Sequence, residues 1–333
     1  MTSTRSRCMV RRAAIVALAA AVPFLAALPH LPDTLPIVVL MQSLPVLAYA
    51  LAWVVCLALA ALLWRAARWP VLAALATAVL LGGRALMPSA VADAPAAFTV
   101  ATFNTDFWDQ HGETEGLEAA FAAIDADVLL LQEHFYLDPP DVFEPIDRAH
   151  LLVSCCDYPH VFVDGDLVVA SRFPGVDHSH PDPNVQRLTL EIEGRAVEVV
   201  NVHNPVHVTL YDSILTEAFW DFARDAAAAR SLVYEAVDEA LADARASERS
   251  ALVGGDFNAT AMMPSLRRSV LGPLGRDPLA HLDGSFPVGL PLWRIDHVVS
   301  TPDLPIACAS MPATPVSDHR PVRCTVTRAA SGA

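Results

Sequence analysis

A chain of 333 residues that is 54% hydrophobic, with a mean hydropathy of +0.39 and no lysine, is too apolar to be disordered and too long to be a disulfide-stapled miniature domain. Its charge is unevenly divided: residues 1–91 hold seven arginines and one acid, Asp33, whereas residues 92–333 hold fifteen arginines against thirty-six acidic side chains, a net charge of −21. That balance excludes a protein that grips nucleic acid through a broad basic face, and it splits the chain into parts suited to different solvents.

The first part, residues 1–91, reads as an all-α membrane anchor. Ala13–Pro32 and Thr34–Trp64 carry no charge, and about 20 apolar residues suffice to span a bilayer core. A third run, Trp69–Met87, is interrupted only by Arg84, whose long side chain can snorkel to the interface. The expectation is about three transmembrane helices and a multi-pass protein of the cell membrane, with the lipid bilayer as its first partner. A secretory signal peptide behind Arg5, Arg7, Arg11 and Arg12 would account for Ala13–Ala27 but not for the long second run. The N-terminal arginines and the Arg65/Arg68 loop fall on one side and Asp33 on the other. Three spans therefore put the rest of the chain outside the cytoplasm, and two would put it inside.

Residues 92–97, at the end of the Pro/Ala-rich stretch that begins MPSAVADAPA at Met87, read as a linker. Beyond it, strand-like runs alternate with helical ones: FTVATFN, the helical EGLEAAFAAIDA, DVLLLQE, HVFV, DLVVAS, VQRLTLEIE and AVEVVNVH. A long Ala/Glu/Asp/Arg helix over about 213–246 follows, then SALVGGDFN, RIDHVVS, PIACAS and PVRCTVT. Many strands and few helices predict an α+β domain of packed sheets flanked by helices. Cys308 and Cys324 fall in two late strands and could face each other, or could be small buried apolar residues. No C-x-x-C spacing argues for zinc.

The polar residues that carry chemistry sit where apolar runs end. FTVATFNTDF places Asn104 and Asp106 there, DVLLLQEHF places Glu133, and VEVVNVHNP places His203. LVGGDFN adds Asp256 and Asn258, RIDHVV adds Asp296, and SDHRPV adds Asp318 and His319. Each alone is commonplace, as an Asx turn, a helix cap or a loop residue. Together, in one domain and each behind a rigid apolar support, they describe one pocket.

The segments TFNTD, LLLQE, VVASRFP, VVNVH, GGDFN, RIDHV and SDHRPV, over about Phe98–Val326, resemble the endonuclease/exonuclease/phosphatase superfamily. The resemblance implies a four-layered α/β sandwich over 98–333, two packed mixed β-sheets flanked by helices. It also implies a divalent metal, magnesium, with manganese or calcium as alternatives. Carried over residue by residue, Glu133 is the main metal ligand with Asn104 and Asp106 close by and Asp318 as a further carboxylate. Asp256 orients or deprotonates the attacking water, Asn258 holds the phosphate, and His319, oriented by Asp296, donates to a phosphate oxygen with His203 as a second donor. The expected function is a membrane-anchored, metal-dependent phosphodiesterase or phosphatase acting on a phospholipid or an envelope component. The alternatives are an extracellular nuclease and a non-catalytic binding or sensor ectodomain. Phe135/Tyr136 and Phe219/Trp220 are the candidate lipid-dipping aromatics, and His207 reads as an exposed loop residue.

Overall fold

The computed structural model of the chain describes residues 2–62, 96–108, 110, 114–138, 142–209, 211–274 and 283–327. The third apolar run, Trp69–Met87, lies outside the described residues. The strands in chain order are β1 Ala96–Asn104, β2 Val128–Gln132, β3 Phe135–Asp138, β4 Val142–Pro145, β5 His160–Asp164, β6 Leu167–Ser171 and β7 Gly175–Asp182. They continue with β8 Val185–Ile192, β9 Arg195–His203, β10 Ser250–Asp256, β11 Asp296–Ser300, β12 Ile306–Ser310 and β13 Val322–Thr327. Helices α1 Thr2–Ala27, α2 Pro36–Gln42 and α3 Val46–Leu62 precede them, and α4 Thr114–Ile124, α5 His150–Cys156 and α6 Glu217–Ala246 are interspersed.

The two-residue period of an extended chain sorts these strands into layers. In β1, Phe98 and Val100 face one way and Ala101 and Phe103 the other; in β2, Val128 and Leu130 part likewise from Leu129 and Leu131. The first set meets Leu188, Leu190, Val197, Val199, Leu252 and Val298 of the second sheet, forming the core between the sheets. Ala101, Phe103, Leu129 and Leu131 instead pack under α4 with Leu117, Phe121 and Ile124. The outer face of the second sheet, with Val200, Val202 and Val253, is covered by Val233, Val237 and Leu241 of α6. Four layers result, helix, sheet, sheet, helix.

The first sheet runs β12-β13-β1-β2-β6-β5 and the second β11-β10-β9-β8-β7, with β3-β4 as a separate hairpin. β1 pairs parallel with β2 and β9 with β10, and the other pairings are antiparallel, so both sheets are mixed. Two glycines permit the close central packing. A Cβ on Gly254 would meet Leu130 Cδ1 at 2.7 Å across the sheet interface, and one on Gly255, at φ +146°, would meet the Val202 carbonyl oxygen at 1.9 Å. Cys308 and Cys324 are partners across β12 and β13 and form a disulfide, and the neighbours Cys155 and Cys156 form another.

Two expectations need correction. β1 begins at Ala96, whose partner is Thr327, so the last linker residues already belong to the sheet. The uncharged run Thr34–Trp64 is not one helix: it is broken at Ser43–Pro45 into the seven-residue α2 and the separate α3. Proline ends the first piece because it cannot continue the ladder. Gln42, fully buried, ties that break to the end of α1 by donating to the Leu28 and Leu31 carbonyls at 2.8 and 3.0 Å. α1 and α3 pack as a hairpin through Leu18, Val22 and Cys56, with Ile15, Leu25 and Trp53 against them. Among the described residues, one stretch, Ala13–His30, is long and apolar enough by itself to cross a membrane.

Candidate active site

The site is the continuation of the inter-sheet core. At one end of the strands the same inward face turns from apolar to polar: Val100 gives way to Thr102 and Asn104, Leu130 to Gln132, and Val199 to Asn201 and His203. In the second sheet Leu252 gives way to Gly254 and Asp256, and Val298 to Asp296. Register aligns them, with Asn104 beside Gln132, and Asp256 beside both His203 and Asp296. Buried amides brace the transition: Gln132 Nε2 donates to Asn201 Oδ1 at 2.7 Å, joining the two sheets just beneath the site.

Above that brace, Asn104 Nδ2 bridges two carboxylates, donating to Glu133 Oε1 at 2.9 Å and to Asp256 Oδ2 at 3.2 Å. The other oxygen of Glu133 accepts from the Phe107 amide at 3.3 Å, and Asn104 Oδ1 accepts from the Asp106 amide at 3.0 Å. Asp106, Phe107, Trp108, Glu133 and Asn258 all adopt positive φ, a costly backbone state that gathers at functional sites. Ser317 fixes the last loop, its hydroxyl donating to the Asn104 carbonyl at 2.7 Å and accepting from the His319 amide at 2.9 Å.

Two carboxylate–imidazole pairs flank this centre. His319 Nδ1 is 2.9 Å from Asp296 Oδ2, leaving Nε2 turned inward, 3.8 Å from both Asp256 Oδ2 and Asp318 Oδ1. His203 Nδ1 is 2.6 Å from Asp166 Oδ2, with Nε2 at 3.7 Å from Glu133 Oε1. Burial alone would lower both imidazoles. For His319 the charges of Asp296 and Asp256 and the bond to Asp296 override it, raising the pKa to about 10. For His203 the bond to Asp166 and its charge override it, raising the pKa to about 9. Both rings are therefore cations at neutral pH, with a donor aimed into the site. Asp296 is held below the carboxylate range because His319's charge and hydrogen bond outweigh its burial. Asp256 moves the other way, raised by burial and by the charge of Asp296. Burial also raises Glu133, and loss of solvation pushes Asp318, still open to water on its outer side, to about 6.

All nine residues expected from the sequence thus converge on one end of the sandwich. Asn258 differs in detail: β10 stops at Asp256, whose Oδ1 accepts the Asn258 amide at 2.8 Å, so the two side chains do not simply alternate along a strand. One side-chain N–H of Asn258 goes to the Asn204 carbonyl at 2.9 Å, which leaves the second available. Phe257 is fully buried in the core. Asp166 was not expected, because it stands at the head of the run DLVVAS and in none of the family-like segments; only its contact with His203 exposes it. Arg230 was missed as well. It is buried on α6, donating to the Pro205 carbonyl and, at 3.2 Å, to the Phe257 carbonyl, and so fixes the backbones that follow His203 and Asp256. His207 is not an exposed loop residue: its Nδ1 is buried, and burial drives its pKa well below the usual value.

Two groupings could hold a cation. Single ligand atoms of Asp256, Asp296 and His319 lie within 4.8 Å of one another, but Asp296 Oδ2 and His319 Nδ1 are already engaged with each other, and the other Asp296 oxygen is buried without a hydrogen-bond partner. Glu133 and Asp318, with the Asp106 charge acting on Asp318, instead offer carboxylate oxygens, and burial raises both Glu133 and Asp318 toward protonation. A divalent ion of magnesium's type prefers hard oxygen donors, and this set fits it better.

The sequence profile of the Endonuclease/Exonuclease/phosphatase family matches residues 101–319, which contain every residue of the site. The chain belongs to that family. It is accordingly a hydrolase acting on phosphoester bonds. Among solved structures, the domain is similar to sphingomyelinase C of Streptomyces griseocarneus, with a TM-score of 0.51, 19% identity, and coverage of 69% of this chain and 99% of that one. It is also similar to truncated TDP2 of Caenorhabditis elegans, with a TM-score of 0.50, 14% identity, and coverage of 69% and 97%. At such identity these likenesses speak for the fold alone. A comparison with curated protein sequences found no match. The phosphoesterase domain is thus the part that relatives share, and the helical hairpin lies outside the matched residues.

Proposed function

We propose that this family member is a membrane-anchored, divalent-metal-dependent phosphoesterase that hydrolyses its substrate by direct attack of water. The observation that carries the reading is the buried Asp256 carboxylate, joined to Glu133 through Asn104 and facing His319 Nε2 at 3.8 Å. A carboxylate whose pKa is raised by burial is suited to orient a water and take its proton. As the water oxygen bonds to phosphorus, the bond to the leaving oxygen breaks, and negative charge builds on the non-bridging oxygens. The imidazoliums of His319 and His203 and the remaining N–H of Asn258 are the donors placed to meet that charge. Asp296 and Asp166 hold the two rings in the orientation that turns Nε2 inward. Glu133, with Asn104, Asp106 and Asp318, would hold the divalent ion, magnesium on the chemistry of the donors, whose contribution when bound is to neutralise phosphoryl charge and favour departure of the leaving oxygen.

The anchor is supported by the helical hairpin. α1 and α3 pack on each other and leave Val16, Leu51, Val54 and Val55 exposed outward, as lipid-facing helices do. The segment between them is docked on the phosphoesterase domain, through Ser265 to Asp33, Thr260 to the Gln42 carbonyl and Trp293 to the Ser43 carbonyl. Segment and domain therefore share one side of the membrane. A chain that leaves that side through α3 must return before Ala96, and Trp69–Met87 is the run long enough to do so. Three crossings with an arginine-rich cytoplasmic N-terminus place the domain outside the cytoplasm, where the two disulfides are also at home. Magnesium titration of the full-length protein in detergent micelles tests the metal assignment. Glu133→Gln weakens magnesium binding by about tenfold or more; unchanged affinity would assign the ion elsewhere.

A further inference from the structure

We propose that the enzyme takes a lipid-borne phosphoester from the leaflet on which it sits, because the fold holds the mouth of its active site against the bilayer. This rests on the anchored, hydrolytic reading above and adds the class of substrate to it. The docked segment Leu31–Pro45 meets the domain at the site end of the sandwich. Ser265, whose hydroxyl and amide donate to Asp33 at 2.6 and 2.9 Å, and Thr260, whose hydroxyl donates to the Gln42 carbonyl at 3.0 Å, lie on the loop that leaves Asp256 and Asn258. Trp293, whose Nε1 donates to the Ser43 carbonyl at 2.7 Å, lies three residues before Asp296. Trp293 also bridges to Phe286, whose ring centroid is 4.9 Å from that of His319. Asp33, Val39, His207, Arg230 and Met263 line one cavity, so the segment also abuts the loop that follows His203. Because α1 and α3 depart from the two ends of this segment, the bilayer surface begins within a few residues of these contacts.

The loops on that rim are dressed for such a neighbour. The loop leaving His203 carries Tyr211 at 93% and Leu215 at 91% exposure, with Val206 and Ile214 about half exposed beside them. The loop before Asp296, tied to Asp318 by the Val288 amide donating to the Asp318 carbonyl at 2.6 Å, carries Leu290 at 64% exposure. Aliphatic side chains and an amphipathic tyrosine beside a membrane hairpin form a surface that a bilayer interface covers. Of the aromatics the sequence suggested, Phe219 is buried on α6, whereas Trp220, Phe135 and Tyr136 are partly exposed. A polyanionic nucleic acid finds little to hold there. Near the rim, Arg294 is buried and paired with Asp283, and Arg320 Nε donates to the Val288 carbonyl at 2.8 Å.

The test uses full-length protein reconstituted with magnesium into vesicles of phosphatidylethanolamine, phosphatidylglycerol, cardiolipin, phosphatidylinositol and sphingomyelin. Parallel arms receive soluble bis(p-nitrophenyl) phosphate, DNA and RNA. Release of a water-soluble phosphorylated headgroup or of phosphate from the vesicles is expected. Tyr211→Ser with Leu215→Ser is expected to lower that rate at least about tenfold relative to the soluble-diester rate of the same preparation. A fluorophore at Leu215→Cys, with Cys8 and Cys56 replaced by serine, is expected to shift to the blue and to be quenched by lipid-borne nitroxide. Turnover of the soluble diester with cleavage of DNA or RNA and no lipid product overturns the substrate class while leaving the hydrolase standing. Equal lipid turnover by the rim variant, or a fluorophore that stays in water, overturns the contact with the bilayer. No turnover of any diester overturns the hydrolytic reading, and this inference with it.

Discussion

Asp256 and His319 are best understood as one unit, since the carboxylate is raised by burial and by Asp296 while the imidazole is raised by the acids around it. Asp256→Asn keeps the shape but removes the proton acceptor, and is expected to lower kcat by about 10²–10⁴ with little change in melting temperature. Asp296→Asn and Asp166→Asn act through the rings they hold, and each is expected to cost about 10–100-fold in activity. The His319 pair also sets a pH dependence in metal-free protein. With a folded pKa of about 10 above an ordinary value of 6.5, its stabilisation is complete below about pH 6.5 and is lost as pH climbs through about 10. In EDTA, the melting temperature of the wild type should therefore approach that of His319→Asn over this range; a gap that widens with pH contradicts the pairing. Asn104, Glu133, His203 and Asp256 stood out in the sequence as the ends of apolar runs, and Asp106, Asn258, Asp296, Asp318 and His319 through the family-like segments that contain them. Asp166 and Arg230 did not, one at the head of the run DLVVAS outside the family-like segments and the other on the buried face of a long helix.

At the scale of elements, two-residue periodicity made most strands legible, and the same periodicity carries the apolar core into the polar site. The sequence did not reveal β7, whose GVDHSHPD is exposed on the edge of the second sheet and has no apolar alternation to announce it. The β3-β4 hairpin was equally silent, being short and paired only with itself. The glycine pair in LVGGDFN, by contrast, has a clear physical cause. Gly254→Ala presses on Leu130 and Val298 and is expected to cost about 1–3 kcal/mol in urea denaturation. Gly255→Ala collides with backbone at Val202 and should be worse, failing to accumulate as soluble protein. Replacing both Cys308 and Cys324 by alanine opens a link with a sequence separation of 16, for which chain entropy predicts a loss of about 3 kcal/mol, measurable by the same denaturation.

For the whole molecule, the helical hairpin and the phosphoesterase domain behave as one assembly, because Asp33, Gln42 and Ser43 bond to the loops of the site end. Composition alone divided the chain into an apolar part and an acidic domain, but it could not show that the short piece ahead of α3 would dock on the domain. That outcome depends on Pro36, Gln42 and Pro45 breaking the run, and on partners more than two hundred residues away. A double-mutant cycle on Asp33→Ala and Ser265→Ala should give a coupling of about 1.5–3 kcal/mol, as expected for hydrogen bonds to a carboxylate. Protease added to intact cells should remove the domain while an N-terminal tag stays protected; a protected domain contradicts the three-crossing topology. The proposed chemistry of the molecule is metal-dependent and centred on Asp256. The most direct measurement is the rate of bis(p-nitrophenyl) phosphate hydrolysis by full-length protein in detergent, first in EDTA and then in magnesium, for wild type and Asp256→Asn. The predicted result is turnover that appears only with the metal and falls by at least about a hundredfold in the variant; turnover indifferent to EDTA, or equal in the two proteins, would contradict it.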